Sequence, residues 1–334
     1  MGDVRVGTSG WSYPSGKGTW NGLFYPATRS KRGGTAAFDE LRFYAEHFDT
    51  VEVNSTFYGQ PRSEVARSWA ARTPPGFDFS LKLYRKFTHP RMFKEAALAS
   101  APGSEGPLLD MLAEVTPHDI DEFRRGIDPL AASGKLGALL AQFPPSFKDS
   151  PVAREHLASL LGAFADYPVA VELRHRSWSD ALGETLSLLD SWGAAWVQID
   201  EPKFRTSIRQ NYLPNVRGFY YMRLHGRNAA HWWKHDASED RYNYLYTADE
   251  LRDFSTIAGA AKDLVRQSYL YANNHFSSKS VVNAVMLKAQ LGQPIDGAYP
   301  ASLVERYPEI APFVASRAMF TTTQPQRLKD TEEL

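Results

Sequence analysis

Five ionisable residues, Glu52, Lys82, Glu172, Asp200 and His225, sit within or at the ends of short apolar runs of this 334-residue chain. A charge taken out of water is costly unless it is paired or put to use. Glu52, Glu172 and Asp200 are the types that serve as general acids and bases once their surroundings push their pKa values apart. With His225 or His275 the same carboxylates are suited to a divalent cation such as Mg, Mn or Zn. The chain has no cysteine, so any metal is limited to oxygen and imidazole ligands. Lys82 could form a Schiff base if desolvated, although a pairing with Glu52 on the neighbouring strand, or with a ligand anion, is the simpler expectation. His231 and His235 have the spacing of a zinc helix without its intervening Glu, and read as a chance match or an aromatic binding loop.

A second set has the character of a binding site. Arg174 and Arg223, with Arg176, Arg227 and Lys82, give a cationic side that suits phosphate or carboxylate. Tyr13, Tyr58 and Trp178, with Trp232, could stack a base or a sugar face. Trp11, Asn54, Gln142, His175, Asn273, Asn274 and His275 complete the candidates. Each has a bland account: tryptophans as packing, arginines as loop ties, the Asn pair as a turn. Structural pairs have no need to converge on one rim, so the set weighs more than its members.

The elements that must position these residues are eight runs. They are Val4–Gly7, Thr50–Asn54, Asp78–Leu83, Ala138–Gln142, Val169–Arg174, Ala195–Asp200, Gly218–His225 and Ser268–Asn274. Several are almost continuously apolar, as strands covered on both faces are. Helical spacing recurs between them, for example at Leu157, Leu160, Leu161 and Phe164. Ser63 and Ser150 read as N-caps, Pro151 as a first helical residue, and Gly292 as a helix stop. Eight strand–helix units predict an α/β (β/α)8 TIM barrel rather than an open doubly wound sheet, because no phosphate-binding glycine fingerprint follows the first strand. Every predicted strand end then delivers a polar group to one mouth.

The stretch from Tyr84 to Gly137 is longer than one crossover helix needs, which predicts an insertion between strands 3 and 4 around Pro90–Pro117. Residues 201–217 have little helical periodicity and read as loop. Residues 1–320 are expected to form a single barrel domain, and residues 321–334 a flexible tail. With 38 basic against 38 acidic residues the formal charge is zero, which argues against a broad basic nucleic-acid surface. No apolar run is long enough to cross a bilayer and the N-terminus has no signal pattern, so a cytoplasmic protein without membrane contact is expected.

Motifs at the same strand ends carry a resemblance. The segments Gly7-Thr8-Ser9-Gly10-Trp11-Ser12-Tyr13, Val51-Glu52-Val53-Asn54-Ser55-Thr56-Phe57-Tyr58, Phe79-Ser80-Leu81-Lys82, Gln142-Phe143-Pro144-Pro145-Ser146-Phe147, Glu172-Leu173-Arg174-His175, Arg223-Leu224-His225-Gly226 and Tyr271-Ala272-Asn273-Asn274-His275 resemble, in order, the motifs of the YecE-like family, domain of unknown function 72. The resemblance spans roughly residues 4–292. It implies a TIM barrel and transfers no catalytic residues.

Three functions compete. The first is a metal-dependent hydrolase of a phosphate-containing, phosphodiester or nucleic-acid-like substrate. The second is a glycosidase or isomerase using the Glu52–Glu172 pair. The third is a module that binds an anionic metabolite without turnover. Abundant ionisable groups favour an enzyme.

Overall fold

The computed structural model describes residues 2–27, 38–100, 106–210, 218–233 and 238–317. Nine parallel strands form one sheet: β1 (Asp3–Ser9), β2 (Thr50–Val53), β3 (Asp78–Lys82), β4 (Leu136–Gln142), β5 (Val169–Glu172), β6 (Ala195–Trp196), β7 (Gln198–Asp200), β8 (Tyr220–Leu224) and β9 (Gln267–Ala272). Their order is β6-β5-β4-β3-β2-β1-β9-β8-β7. The two outermost members are consecutive in the chain, separated only by Val197, so they are halves of one stave. The sheet therefore returns on itself as the expected eight-stave TIM barrel.

The break in the sixth stave has a physical cause. Val197 N–H still donates to Val171 O across to β5 (2.9 Å). Beyond that bond a side chain replaces the ladder: Gln210 accepts from Ile199 N–H (3.0 Å) and donates to Val197 O (2.8 Å). Those backbone groups would otherwise be buried without partners.

Caps follow the sequence in part. Ser150 caps the helix Pro151–Ala163 by accepting from Ala153 N–H, with Pro151 at its first position. Gly292 (φ +65°) ends the helix Lys279–Gln290. Ser63 is instead the first residue of its helix, Ser63–Ala71, and the cap position is Arg62, which makes no capping bond. The insertion after β3 consists of the helices Arg85–Thr88, Pro90–Ser100 and Gly106–Ala113, ahead of Pro117–Ala132. Residues 201–210 are non-helical, as expected; 211–217, Lys234, His235 and the tail from 321 lie outside the described residues. After the barrel, Ala298–Pro300 pairs in parallel with Ala315–Arg317.

The apolar core lies between sheet and helices, with packed rings such as Phe87, Phe123 and Phe164. The bore is different. Where such barrels are usually filled by branched aliphatics, this one stacks hydrogen-bonded polar side chains. Tyr271 Oη joins Thr50 Oγ1 (2.6 Å) and Ser80 Oγ (2.9 Å), one layer below the strand ends. Among the described residues no helix is long and apolar enough to cross a membrane.

Candidate functional site

Side chains alternate along a strand, so residues two apart share a face. Glu52 and Asn54, Ser80 and Lys82, Glu172 and Arg174, Tyr221 and Arg223, and Tyr271 and Asn273 each obey this spacing. The register aligns them: Ser9 lies beside Glu52, Glu52 beside Ser80, Gln142 beside Glu172, and Arg223 beside Tyr271. Parallel pairing thus gathers one inward layer from staves that are remote in sequence.

That layer is an ion network closed around Arg223. Its Nη2 donates to Glu52 Oε1 (2.7 Å), and its Nη1 to Glu172 Oε2 (2.5 Å) and Gln142 Oε1 (3.1 Å). Glu52 also accepts from Ser9 Oγ and from Tyr221 Oη, each at 2.7 Å. Arg174 Nε donates to Glu172 Oε1 (2.6 Å). Both glutamates are wholly buried and Arg223 is 1% exposed. Burial opposes the charge on Glu172, but Arg223 and Arg174 outweigh it and hold the carboxyl well below its usual range. The two carboxylates and two guanidiniums therefore pair with one another, with only Arg223 Nε left unbonded among the Arg223 nitrogens, and this layer is framework.

Above it lie groups with capacity left. Lys82 Nζ rests 3.9 Å from the centre of the Phe57 ring and, among the described residues, forms no ion pair. Burial pulls its amine down to about 7, Arg223 and Arg174 adding to the effect and Glu172 and Glu52 opposing it. His225 is buried, and burial brings it to about 3, so it is neutral. Arg174 Nη2, which can only donate, is 3.2 Å from Nε2. Asn273 Nδ2, also a donor, lies 2.7 Å from Nδ1. Glu201 is 5% exposed, with Oε2 lying 3.4 Å from Arg174 Nη1 and making no hydrogen bond. Burial raises its pKa against the pull of Arg174, and Glu172 adds to the rise. His89 is likewise brought to about 3 by burial and by Lys82 and Arg174. Trp232 stands edge-on to His225, ring centres 6.5 Å apart.

The family profile described as "Protein of unknown function DUF72" matches residues 5–306. The chain belongs to the DUF72 family. The "UPF0759 protein YunF" of Bacillus subtilis is 26% identical over 312 residues, covering 90% of this chain and 99% of that protein. The "UPF0759 protein YecE" of Escherichia coli K12 is 29% identical over 174 residues, 52% of this chain and 48% of YecE. A solved DUF72 structure from Thermotoga maritima superposes with a TM-score of 0.69 at 30% identity, covering 87% of this chain and 99% of that one. One from Enterococcus faecalis gives 0.68 at 24% identity over 88% and 97%. None of these names carries an activity. The motifs of the DUF72 resemblance do lie at the barrel mouth, as the sequence suggested.

Of the residues expected to act, Glu52, Glu172, Arg174, Arg223, Gln142, Asn273, His225 and Lys82 assemble in this DUF72 barrel. Asp200 does not join them. It faces outward, accepting from Arg227 (2.8 and 3.1 Å) and Tyr246 (2.7 Å). The expected Glu52–Lys82 pair is absent because Arg223 reaches Glu52 across the bore. Trp178 is core, its Nε1 donating to Phe147 O. Trp11 packs edge-on against Trp69 and Phe79. His175 caps the helix Arg176–Asp180, and Asn274 donates to Asn283 Oδ1 and Tyr244 O. Tyr13 stacks on His275 with ring centres 4.1 Å apart, and Tyr58 stands 64% exposed on the rim. Asn54 occupies the cap position of the helix Ser55–Tyr58 without a capping bond.

The expected divalent cation finds no donor set: among the described residues no three His, Asp or Glu converge, and guanidiniums occupy the carboxylate oxygens. Sequence reasoning missed Ser9, Tyr221, Glu201, His89 and Phe57. Period-two spacing from Arg223 marks Tyr221. The others have no signal short of the register.

Proposed function

We propose that the barrel mouth is an acid–base centre acting, without a metal, on a small phosphate-bearing substrate. The observation that carries this is the split between two neighbouring carboxyls. Arg174 and Arg223 keep Glu172 ionised, whereas burial raises the pKa of Glu201. Environments that push two carboxyls apart assign the acid and the stabiliser. Glu201 is the proton donor to a leaving oxygen, and Arg174, 3.4 Å away, steadies the carboxylate that remains. Lys82, at the carboxyl end of β3, faces the substrate. Arg85 and Arg241 add positive charge at the rim, where both act on the Tyr58 phenol. Tyr58 and Trp233, 64% and 61% exposed, are free faces for a sugar or base.

The metal-assisted route loses support because no donor set lies among the described residues. The glycosidase route loses support because Glu52 and Glu172, both wholly buried on one guanidinium, have no access to a glycosidic oxygen. The test is a panel of phosphomonoesters, phosphodiesters and oligonucleotides, assayed with and without EDTA. Turnover of a small ester is expected to survive EDTA and to fall about 100-fold or more in kcat in Glu201→Gln, the loss typical of a general acid. Activity abolished by EDTA, or a Glu201→Gln enzyme with full kcat, refutes the reading.

A further inference from the structure

Among the described residues, the two guanidiniums of the network are matched to carboxylates and the half-buried Lys82 is not. Arg223 is shared by Glu52 and Glu172, and Arg174 by Glu172 and Glu201. Lys82 Nζ has the face of Phe57 instead of an anion. It stands at the last residue of β3, the carboxyl end of a stave, where barrel enzymes place reacting groups. An ammonium meant only to neutralise framework charge would lie on Glu52 or Glu172, and it does not. A lysine on an apolar face near other cations is the arrangement that yields a nucleophilic amine.

We propose that Lys82 condenses with the carbonyl carbon of a phosphate-bearing aldehyde or ketone, forming an iminium at the barrel mouth. This rests on the reading of that mouth as a phosphate-accepting acid–base centre and names the substrate class within it. The lone pair of the neutral amine attacks the carbonyl carbon, the C=O π electrons move to oxygen, and one proton passes from nitrogen to that oxygen. Glu201 then protonates the carbinolamine hydroxyl. The C–O bond breaks, water leaves, and the nitrogen lone pair closes the C=N bond, giving an iminium and the Glu201 carboxylate. No oxidant, reductant or metal enters the balance. An amine titrating near 7 is about half neutral at neutral pH, against roughly one in a few thousand for an ordinary lysine.

The experiment incubates the full chain at pH 7 with glyceraldehyde 3-phosphate and sodium cyanoborohydride, which reduces an iminium to a stable secondary amine, and maps the adducts by peptide mass spectrometry. The Lys82 peptide is expected to be labelled more than about tenfold faster than any other lysine. Excess inorganic phosphate should slow that labelling, and Lys82→Arg, checked by its thermal melt, should lose only that adduct. Labelling spread evenly over lysines, with Lys82 no faster than the rest, overturns the proposal. A parallel arm with unphosphorylated glyceraldehyde separates the two ideas. Fast Lys82 labelling by both aldehydes alike, unaffected by phosphate, upholds the nucleophile and overturns the phosphate reading. Phosphate raising the melting temperature of the wild type while Lys82 stays unlabelled upholds the reading and overturns the nucleophile.

Discussion

Replacing Arg223 by methionine removes one guanidinium and strands two carboxylates. Methionine is the choice because it keeps much of the length and fills the bore without a charge. In the wild type Arg223 bonds Glu52, Glu172 and Gln142, and both glutamates are wholly buried. Breaking a buried ion pair by removing one partner costs about 3–5 kcal/mol, because the other charge remains desolvated. Arg174 still serves Glu172 through Oε1, so Glu52, left with only Ser9 and Tyr221, suffers most. A loss of about 3–5 kcal/mol is a large share of the 5–15 kcal/mol typical of a native protein. Urea denaturation followed by circular dichroism reads it directly. The pH dependence supplies the sign. In the wild type Glu172 has a folded pKa below its ordinary 4.5, so its contribution is present above that value and lost as pH falls. Arg223→Met removes the guanidinium that contributes most to that lowering, so this contribution is lost wherever Glu172 is ionised. The variant's deficit should therefore be largest near neutral pH and shrink toward pH 4. Adding Glu52→Gln should recover part of it. A deficit below about 1 kcal/mol, or one that grows on acidification, refutes the view that this layer is a mutually paired framework.

Lys82 has the same sign in a more alkaline window: with its folded pKa near 7 and its ordinary value at 10.5, the unfolded chain holds more protons between those limits. Stability should rise with pH across that window through this group, and Lys82→Met should flatten the rise in urea midpoints. Gly126 sits in the helix Pro117–Ala132 where an added Cβ would lie 2.1 Å from Pro61 O. Gly126→Ala should accordingly destabilise by about 1–3 kcal/mol in spite of alanine's better helix propensity, and an unchanged melting temperature would contradict the close contact. Gln210→Ala removes both side-chain bonds across the break in the sixth stave. A loss of about 1–3 kcal/mol is expected, with faster hydrogen exchange at the Ile199 amide, whereas an unaltered exchange rate would show that the amide does not depend on Gln210.

The barrel was legible because eight apolar runs and the helical spacing between them repeat one physical unit, and each run needs only its own composition to be seen. What escaped depends on residues far along the chain. The sixth run reads as one strand from Ala195 to Asp200, yet it breaks at Val197 because Gln210, on the following loop, supplies the hydrogen bonds there. Ser63 has the right type for a cap, but the chain enters that helix one residue earlier and Arg62 takes the position. Local propensity places such boundaries only to within a residue or two.

At the site, residue types announced a charged mouth but not who pairs with whom. Asp200 and Glu201 are adjacent, and alternation allows only one of them to face the bore. Gln198 and Asp200 share a face and look like the polar, inward set. Register decides otherwise: Ile199 lies beside the inward Arg223, so Glu201 points in and Asp200 out. Glu52 and Lys82 are on neighbouring strands, which made them the natural pair. Inside a barrel, however, inward side chains meet across the bore, and Glu52 on β2 finds Arg223 on β8, with β1 and β9 between them in the sheet. Adjacency in a sheet governs backbone bonds, while proximity in a closed bore governs charges. Once Arg223 takes Glu52, Lys82 forms no ion pair among the described residues. The same pairing that turns two arginines from ligand clamps into framework thereby leaves a desolvated amine at the mouth.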